Sequence, residues 1–498
     1  MNAPSPAPWR ARPHALAAAL AALLTGCAAV GPNFTPPQAQ DPSSWQARPS
    51  SAPALASTLA LSTQSAPERW WTVLGDPTLD ALQARLITGS PDLRSAALRF
   101  AQSRVQQSVV GSQAGPQVQA SAQATRQRQS DSGPETRLVG ALGGANAPAL
   151  IDVLTEPYAL YQAGFDASWE LDLWGRVRRA IESADAGAQA SRALLAQTHL
   201  ALSSELARAW FALRLAQRQQ ALLQTQTTLA TDTLALLQAQ ARHGLIAPAE
   251  LIAPRNQLAE LQAQWAPLQA QQAQLANQIG ILTGAQPDEL AALLAPAADA
   301  PLAAAELPEL RLGLPADIRA AEARLHAATA DIGVAMADLY PRIALGVSGG
   351  LQSLTSGGFG SWGARTWQIG PLISLPLFDQ GRRRATVELR QLQQQEAAID
   401  WHRTVLTAWQ EVDDALASYA AERQRHAQLS EVLARQQEAL ALAQARARHG
   451  LGNQLPVLQA EQNRLQAQRA LDESASRLRT ALVAVYKAVG GGEMTPAR

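Results

Sequence analysis

Gln117–Thr125 alternates without a break between a row of Gln, Ser and Thr and a row of Val and Ala. A period of two predicts a strand with one polar and one apolar face. Ala163–Trp174 alternates likewise, with Phe165, Trp169, Leu171 and Leu173 on its apolar row. Ser132, Gly133, Pro134, Gly143 and Gly144 between the two predict a loop within 130–157. The pair recurs as Arg342–Ser348 and Thr366–Phe378, so strands are expected near 116–125, 158–174, 341–351 and 362–378. Beyond each pair, Gly175-Arg176 and Gly381-Arg382 open runs of Ala, Leu and Gln that continue to His243-Gly244-Leu245 and His449-Gly450-Leu451. Glycine there suits a helix C-terminus. Returning helices are predicted through Leu258 and Leu261 to Leu282, and through Leu465 to Val489. Shorter helices of about 23 residues precede the strands, Asp92 to Pro116 and Asp317 to Pro341. Asp76, directly before Pro77, is the expected N-cap of an earlier one.

The chain is duplicated. Gln238–Leu245 (QAQARHGL) returns as Gln444–Leu451 (QARARHGL), 206 positions later, and Gly175-Arg176 returns as Gly381-Arg382 at the same offset. The separations 244 − 175 and 450 − 381 are both 69 residues. A helix of that length runs about 100 Å at about 1.5 Å per residue, so the two equal rods read as a spanning device. Asp92 and Asp317, like Pro116 and Pro341, stand 225 apart, which leaves 225 − 206 = 19 extra residues in the first half, assigned to the loop 130–157. The organisation predicted is a leader over 1–26, an extended arm over 27–75, repeat 1 over 76–286, a link over 287–314, repeat 2 over 315–490 and a tail over 491–498. The hairpin turns fall near 242–250 and 448–457.

Composition narrows the function. Of 498 residues only 16% are charged, Lys plus Arg equals Asp plus Glu at 41 each, and no basic block exceeds Arg382–Arg384. Nucleic acid is excluded as a partner on that balance. Seven scattered histidines form no HExxH, CxxC is absent, and there is no nucleophile elbow, so neither catalysis nor a metal site is expected. Arg10, Arg12 and His14 precede the apolar run Ala15–Leu24, too short to span a bilayer and suited to an export signal. It ends in Leu24-Thr25-Gly26-Cys27, which resembles the lipobox of bacterial lipoproteins. That resemblance implies a covalent diacylglyceryl and N-acyl lipid on Cys27 and, with Ala28 following, sorting to the outer membrane. The lone cysteine excludes an internal disulfide.

Tyr158, Tyr161, Trp169, Trp174, Trp362, Trp367 and Phe378 gather near strand ends, as in the aromatic belts of transmembrane strands. Four strands cannot close a barrel, and open edges are not tolerated in lipid, so assembly with copies of the chain is expected. Two copies would give a filled eight-stranded interior; more would leave a lumen.

An ordered set of motifs then covers nearly the whole mature chain: Cys27–Phe34 (CAAVGPNF), Trp70-Trp71 with Asp76–Leu79 (DPTL), Asp92-Leu93-Arg94, Glu170–Arg176 (ELDLWGR), Asp317–Glu322 (DIRAAE), Tyr340–Ile343 (YPRI) and Tyr486–Gly492 (YKAVGGG). The set resembles the TolC-like outer membrane factors, the outer membrane efflux protein family, in the lipoprotein branch (NodT/OprM-type) serving resistance-nodulation-division pumps. The resemblance implies a mixed α and β membrane protein: a homotrimer whose four strands per chain make a twelve-stranded barrel in the outer membrane of a Gram-negative bacterium, continued by a helical tunnel in the periplasm. It implies a passive conduit for drugs or other toxic small molecules, metal ions included, with a periplasmic adaptor and an inner-membrane resistance-nodulation-division transporter as partners and no cofactor. An outer membrane channel for type I protein secretion or another ABC-type export system is the alternative. An adaptor lipoprotein would carry one hairpin with lipoyl-like and barrel modules, a coiled-coil lipoprotein would lack strands, and an exported enzyme would need a site.

The same resemblance assigns adaptor docking to the turns, Arg242, His243, Gly244, Leu245 and Glu250 in the first half and Arg448, His449, Gly450 and Leu451 in the second. In relatives a carboxylate past the turn contributes to a closed aperture. Here Glu250 has Pro456 as its counterpart, with Gln459 three residues on, so Asn453, Gln454 and Gln459 are the gate candidates. His243 and His449 are either a mild-acid sensor or plain exposed turn residues. Glu170 and Asp172 are expected to pair with Arg176 or Arg382 rather than to hold a metal.

Overall fold

The computed structural model describes residues 29–37, 61–62, 69–296, 310–311 and 315–491. The leader, Cys27, most of the arm 27–75, much of the link 287–314 and residues 492–498 lie outside them. In chain order the elements are β1 (Leu61–Ser62), α1 (Pro77–Gly89), α2 (Pro91–Gly111), β2 (Gln117–Gln127), α3 (Pro134–Leu142), α4 (Ala147–Thr155) and β3 (Tyr158–Glu170). Next come α5 (Arg176–Arg242), α6 (Ile252–Ala263), α7 (Trp265–Thr283), α8 (Pro287–Leu294), β4 (Leu310–Arg311) and α9 (Ala316–Ala337). The chain ends with β5 (Arg342–Ser353), β6 (Arg365–Ser374), α10 (Arg382–Arg448) and α11 (Leu455–Ala488). The helices after the two Gly-Arg motifs, α5 and α10, are each continuous over 67 residues.

Two compact units form. The first holds residues 104–187 and 325–397 with the described start of the arm. Its sheet has the order β2-β3-β5-β6, every pairing antiparallel, and β2 and β6 are its open edges. Directly opposed residues share a face, so the register sorts the sheet into two surfaces. Gln117, Gln119, Ser121 and Gln123 lie in line with Gln162, Asp166 and Ser168, then with Ser348 and Gln352, then with Thr366 and Gln368. The opposite surface carries Val118 and Ala120, Phe165 and Trp169, Leu345 and Val347, and Trp367 and Ile369. The apolar surface is open to its surroundings: Val118, Phe165, Trp367 and Ile369 are all exposed. Phe165 opposes Gly349 and lies against its Cα, covering a position without a side chain.

Three expectations change in the first unit. The strands predicted to end at Trp174 and Phe378 stop at Glu170 and Ser374, and Asp172 leaves the sheet to cap α5 through the backbone N–H groups of Val177 and Arg178, both at 2.9 Å. The segment 130–157, expected as a loop, contains α3 and α4, each with proline in its first turn and an internal apolar spacing that its glycines obscured. Asp172 pairs with Arg178 at 3.2 Å and not with Arg382; Glu170 pairs with Arg176 as expected.

The second unit, residues 36–103, 188–324 and 398–498 where described, is a helical core. Leu79, Leu82 and Leu86 on α1, at helical spacing, are fully buried with Leu206, Phe211, Ile279 and Leu482. Full burial of such a side chain contributes about 1.5–3 kcal/mol. Trp70 stacks on Tyr486 with centroids 5.6 Å apart. Asp76 is the expected cap: Oδ1 accepts from the Thr78 and Leu79 N–H groups at 3.0 Å while Oδ2 accepts from the Trp210 indole at 2.8 Å. The first returning helix is not continuous, because Pro267 lacks the N–H that would reach the Ala263 carbonyl; α6 ends at Ala263 and α7 begins at Trp265. In the second half α11 returns unbroken over 34 residues. β1 and β4 pair in parallel, joining the arm to the link.

Candidate functional sites in the hairpin turns and at the strand ends

Both hairpin turns are built by one hydrogen-bond pattern. Gly244 N donates to Ala241 O at 3.0 Å and Leu245 N to Gln240 O at 2.9 Å; Gly450 N donates to Ala447 O at 3.1 Å and Leu451 N to Arg446 O at 2.9 Å. This is the Schellman closure of a helix, which needs a left-handed residue at the position past the cap. Gly244 and Gly450 supply it with φ of 70° and 72°. The turn throws the side chains outward. Arg242, His243, Arg448 and His449 are exposed, and Leu245 and Leu451 are 72% and 70% exposed. Each turn thus presents one exposed leucine beside an exposed Arg-His pair.

The halves diverge just past the turns. Glu250 Oε1 accepts from its own Ala247 N–H at 3.1 Å, so this carboxylate also caps the short 3-10 turn that leads into α6. In the second half Asn453 and Gln454 are exposed and Pro456 lies in the first turn of α11. Gln459 is exposed one turn further on and donates to Asn463 Oδ1 at 3.4 Å.

At the ends of β3 and β5 a second cluster forms. Trp174 lies outside the strands, stacked on Tyr340 at 4.8 Å, with its indole donating to Pro341 O at 2.8 Å. Arg176 holds Glu170 in a two-pronged pair, 2.8 Å on each side. That hydrogen bond raises the guanidinium pKa against the opposing effect of burial. Among the other aromatics, Trp169 donates to Ala114 O at 2.9 Å, the Tyr158 hydroxyl accepts from Gln127, Tyr161 meets Phe359 edge-on, and Trp362 and Phe378 are exposed beyond the two ends of β6.

The arm docks on this cluster, at residues that motif reading left as extended chain. Val30 N donates to Trp174 O at 3.0 Å. Arg179, a buried cation, reaches Asn33 Oδ1 at 2.6 Å and Glu182 Oε2 at 2.8 Å. His326 Nε2 stands 2.9 Å from Glu182 Oε1 and its ring stacks on Phe34 at 4.3 Å. Burial alone would raise the Glu182 carboxyl, but the hydrogen bonds from Arg179 and His326 outweigh it and hold the pKa below its ordinary value. The signal was present in Gly31-Pro32-Asn33-Phe34; its partners lie about 145 and 290 residues away in the sequence. Among the described residues no group of His, Cys, Asp and Glu is arranged to hold a metal, and no helix is long and apolar enough to cross a membrane.

A helix-rich chain with one two-faced antiparallel sheet invites comparison with known channels. Residues 82–285 and 307–491 match the family described as outer membrane efflux protein. The chain belongs to that family. It is 31% identical over 487 residues to the antibiotic efflux pump outer membrane protein ArpC of Pseudomonas putida, covering 95% of this chain and 94% of that one. To the toluene efflux pump outer membrane protein TtgC, also of Pseudomonas putida, it is 30% identical over 487 residues, again 95% of this chain and 94% of the other. The solved outer-membrane channel OprN is 30% identical, superposes with a TM-score of 0.78 and covers 93% of this chain and 99% of its own. As a member of the efflux protein family the chain is an outer membrane channel component, and these relatives are transport proteins rather than enzymes.

Proposed function

We propose that three copies of the chain form the outer membrane duct of a tripartite efflux pump. The observation that carries this reading is the sheet: four antiparallel strands, one apolar and one polar surface, and two edges left open. In lipid an open edge leaves unpaired backbone groups at a cost of several kcal/mol each. Pairing β2 of one copy with β6 of the next removes every edge, and three copies give twelve strands, enough for a water-filled lumen lined by the Gln, Ser and Thr face. The long helices of the two repeats then continue the duct into the periplasm. Cys27 carries the lipid that anchors the arm, and the Val30–Phe34 contacts tie that anchor to the strand ends.

Transport is passive and the cargo is small molecules, drugs among them, as the names of the relatives support. The exposed Arg–His–Gly–Leu turns receive the periplasmic adaptor, which links the duct to an inner-membrane resistance-nodulation-division transporter. Asn453, Gln454 and Gln459 line the closed aperture, with Glu250 contributing on the first-half side. Reversing charge at Arg242→Glu with Arg448→Glu, or placing Leu245→Asp with Leu451→Asp, abolishes drug resistance in cells while gels run before and after heating still show trimers in the outer membrane. Resistance equal to wild type in those variants sinks the docking assignment.

A further inference from the structure

The two open edges of the sheet end in unlike features on one rim. Just past β2, Arg128, Asp152, Val153, Thr155, Glu156 and Pro157 line a shallow hollow, wide open to its surroundings, of about 600 Å³. One wall is held in place, with Arg128 Nε donating to Thr155 O at 3.0 Å and its terminal nitrogen to Asp131. Asp152 and Glu156 make the rim acidic, and Val153, 71% exposed, gives it an apolar patch. Just before β6 stands a knob. Trp362 is 82% exposed; Arg365 donates to its carbonyl at 2.8 Å and lays its guanidinium over the indole.

Hollow and knob belong to one rim of the sheet, since Gln127 opposes Tyr158, Tyr161 opposes Ser353 and Leu351 opposes Arg365. Three successive antiparallel pairings make β6 antiparallel to β2. A β2 edge joined to the β6 edge of another copy therefore sets the end of one strand beside the start of the other, and the hollow beside the knob. Resting on the trimer reading above, we propose that the hollow receives the Trp362–Arg365 unit of the neighbouring copy. The indole lies on Val153 and Pro157, and the guanidinium meets Asp152 and Glu156, a pairing that arginine stacked on an aromatic ring is shaped to make. The contact answers a need of the edge itself. The face residues of β2 are mostly Gln and Ala, which specify register weakly, and a slip along such a strand is cheap. One large side chain seated at the rim selects a single register.

The full-length chain suits a disulfide test, because its own cysteine is Cys27 alone. Val153→Cys combined with Trp362→Cys, oxidised in cells, gives covalent dimers and trimers on non-reducing gels, and each single substitution gives none. As a second measurement, Asp152→Arg with Glu156→Arg shifts trimer dissociation to lower temperature, and adding Arg365→Glu restores it. Trimers that form normally but show neither interchain cross-links nor restoration overturn this contact and leave the trimer standing. A wild-type chain that migrates as a monomer before heating overturns both.

Discussion

Arg179 gathers more structural roles than its place in the sequence announces. Its guanidinium holds Asn33 of the arm and Glu182 of α5 together, and Glu182 in turn positions His326 beneath Phe34. Because the Glu182 pKa is depressed in the folded protein, its ionised form contributes stability above the ordinary value of 4.5, and that contribution is lost as pH falls below it. The protection factor of the Val30 amide, which donates to Trp174 O, accordingly falls below about pH 4.5 in detergent-solubilised protein. Glu182→Gln lowers that protection already at about pH 7, by roughly fivefold, about 1 kcal/mol for a charged hydrogen bond at a partly exposed site, and flattens the acid response. Protection that is the same in both proteins across pH contradicts this account of the arm. The arm residues stand out in the sequence but their partners do not, since nothing local in Val30–Phe34 encodes a contact with a helix begun at Arg176.

Elements defined by backbone chemistry were the most legible. Gly244 and Gly450 end their helices where the HGL motifs stand, and α5 and α10 begin at the Gly-Arg motifs. Period-two alternation located all four long strands, with ends displaced by a few residues because a capping aspartate, not alternation, decides where β3 stops. Glycine and proline mask the helices α3 and α4, and the Ala, Leu and Gln pattern runs on across the break at Gln264 that Pro267 imposes. The two faces of the sheet lead to an asymmetric prediction. Ile369→Arg, near the middle of β6 on the apolar surface, destabilises the barrel by about 2–4 kcal/mol if that surface meets lipid; its neighbour Gln368→Arg on the polar surface leaves stability close to wild type. The heat at which trimers dissociate reads both, and equal losses would contradict the assignment of faces.

At the scale of the whole molecule, two equal rods bring two unlike turns into play. In the proposed aperture the halves would not contribute alike, since Glu250 caps its own turn and the second half offers Asn453, Gln454 and Gln459. In the proposed trimer Gln459→Asp introduces one carboxylate per chain, and planar-bilayer recordings are expected to show a rise in cation over anion permeability. Selectivity identical to wild type removes Gln459 from the constriction.

Hydropathy period, duplication at a constant offset and glycine placement are local or periodic properties, so the chain's own residues were enough to define the two equal 67-residue helices and the four long strands, but not where those strands end. Which side of each strand shares a surface with which neighbour, and which distant groups meet Phe34, Asp76 or Arg179, depended on register and packing between segments hundreds of residues apart. Those choices are made by cross-strand opposition and by the burial of charge with its partners. No periodicity within a single segment records them.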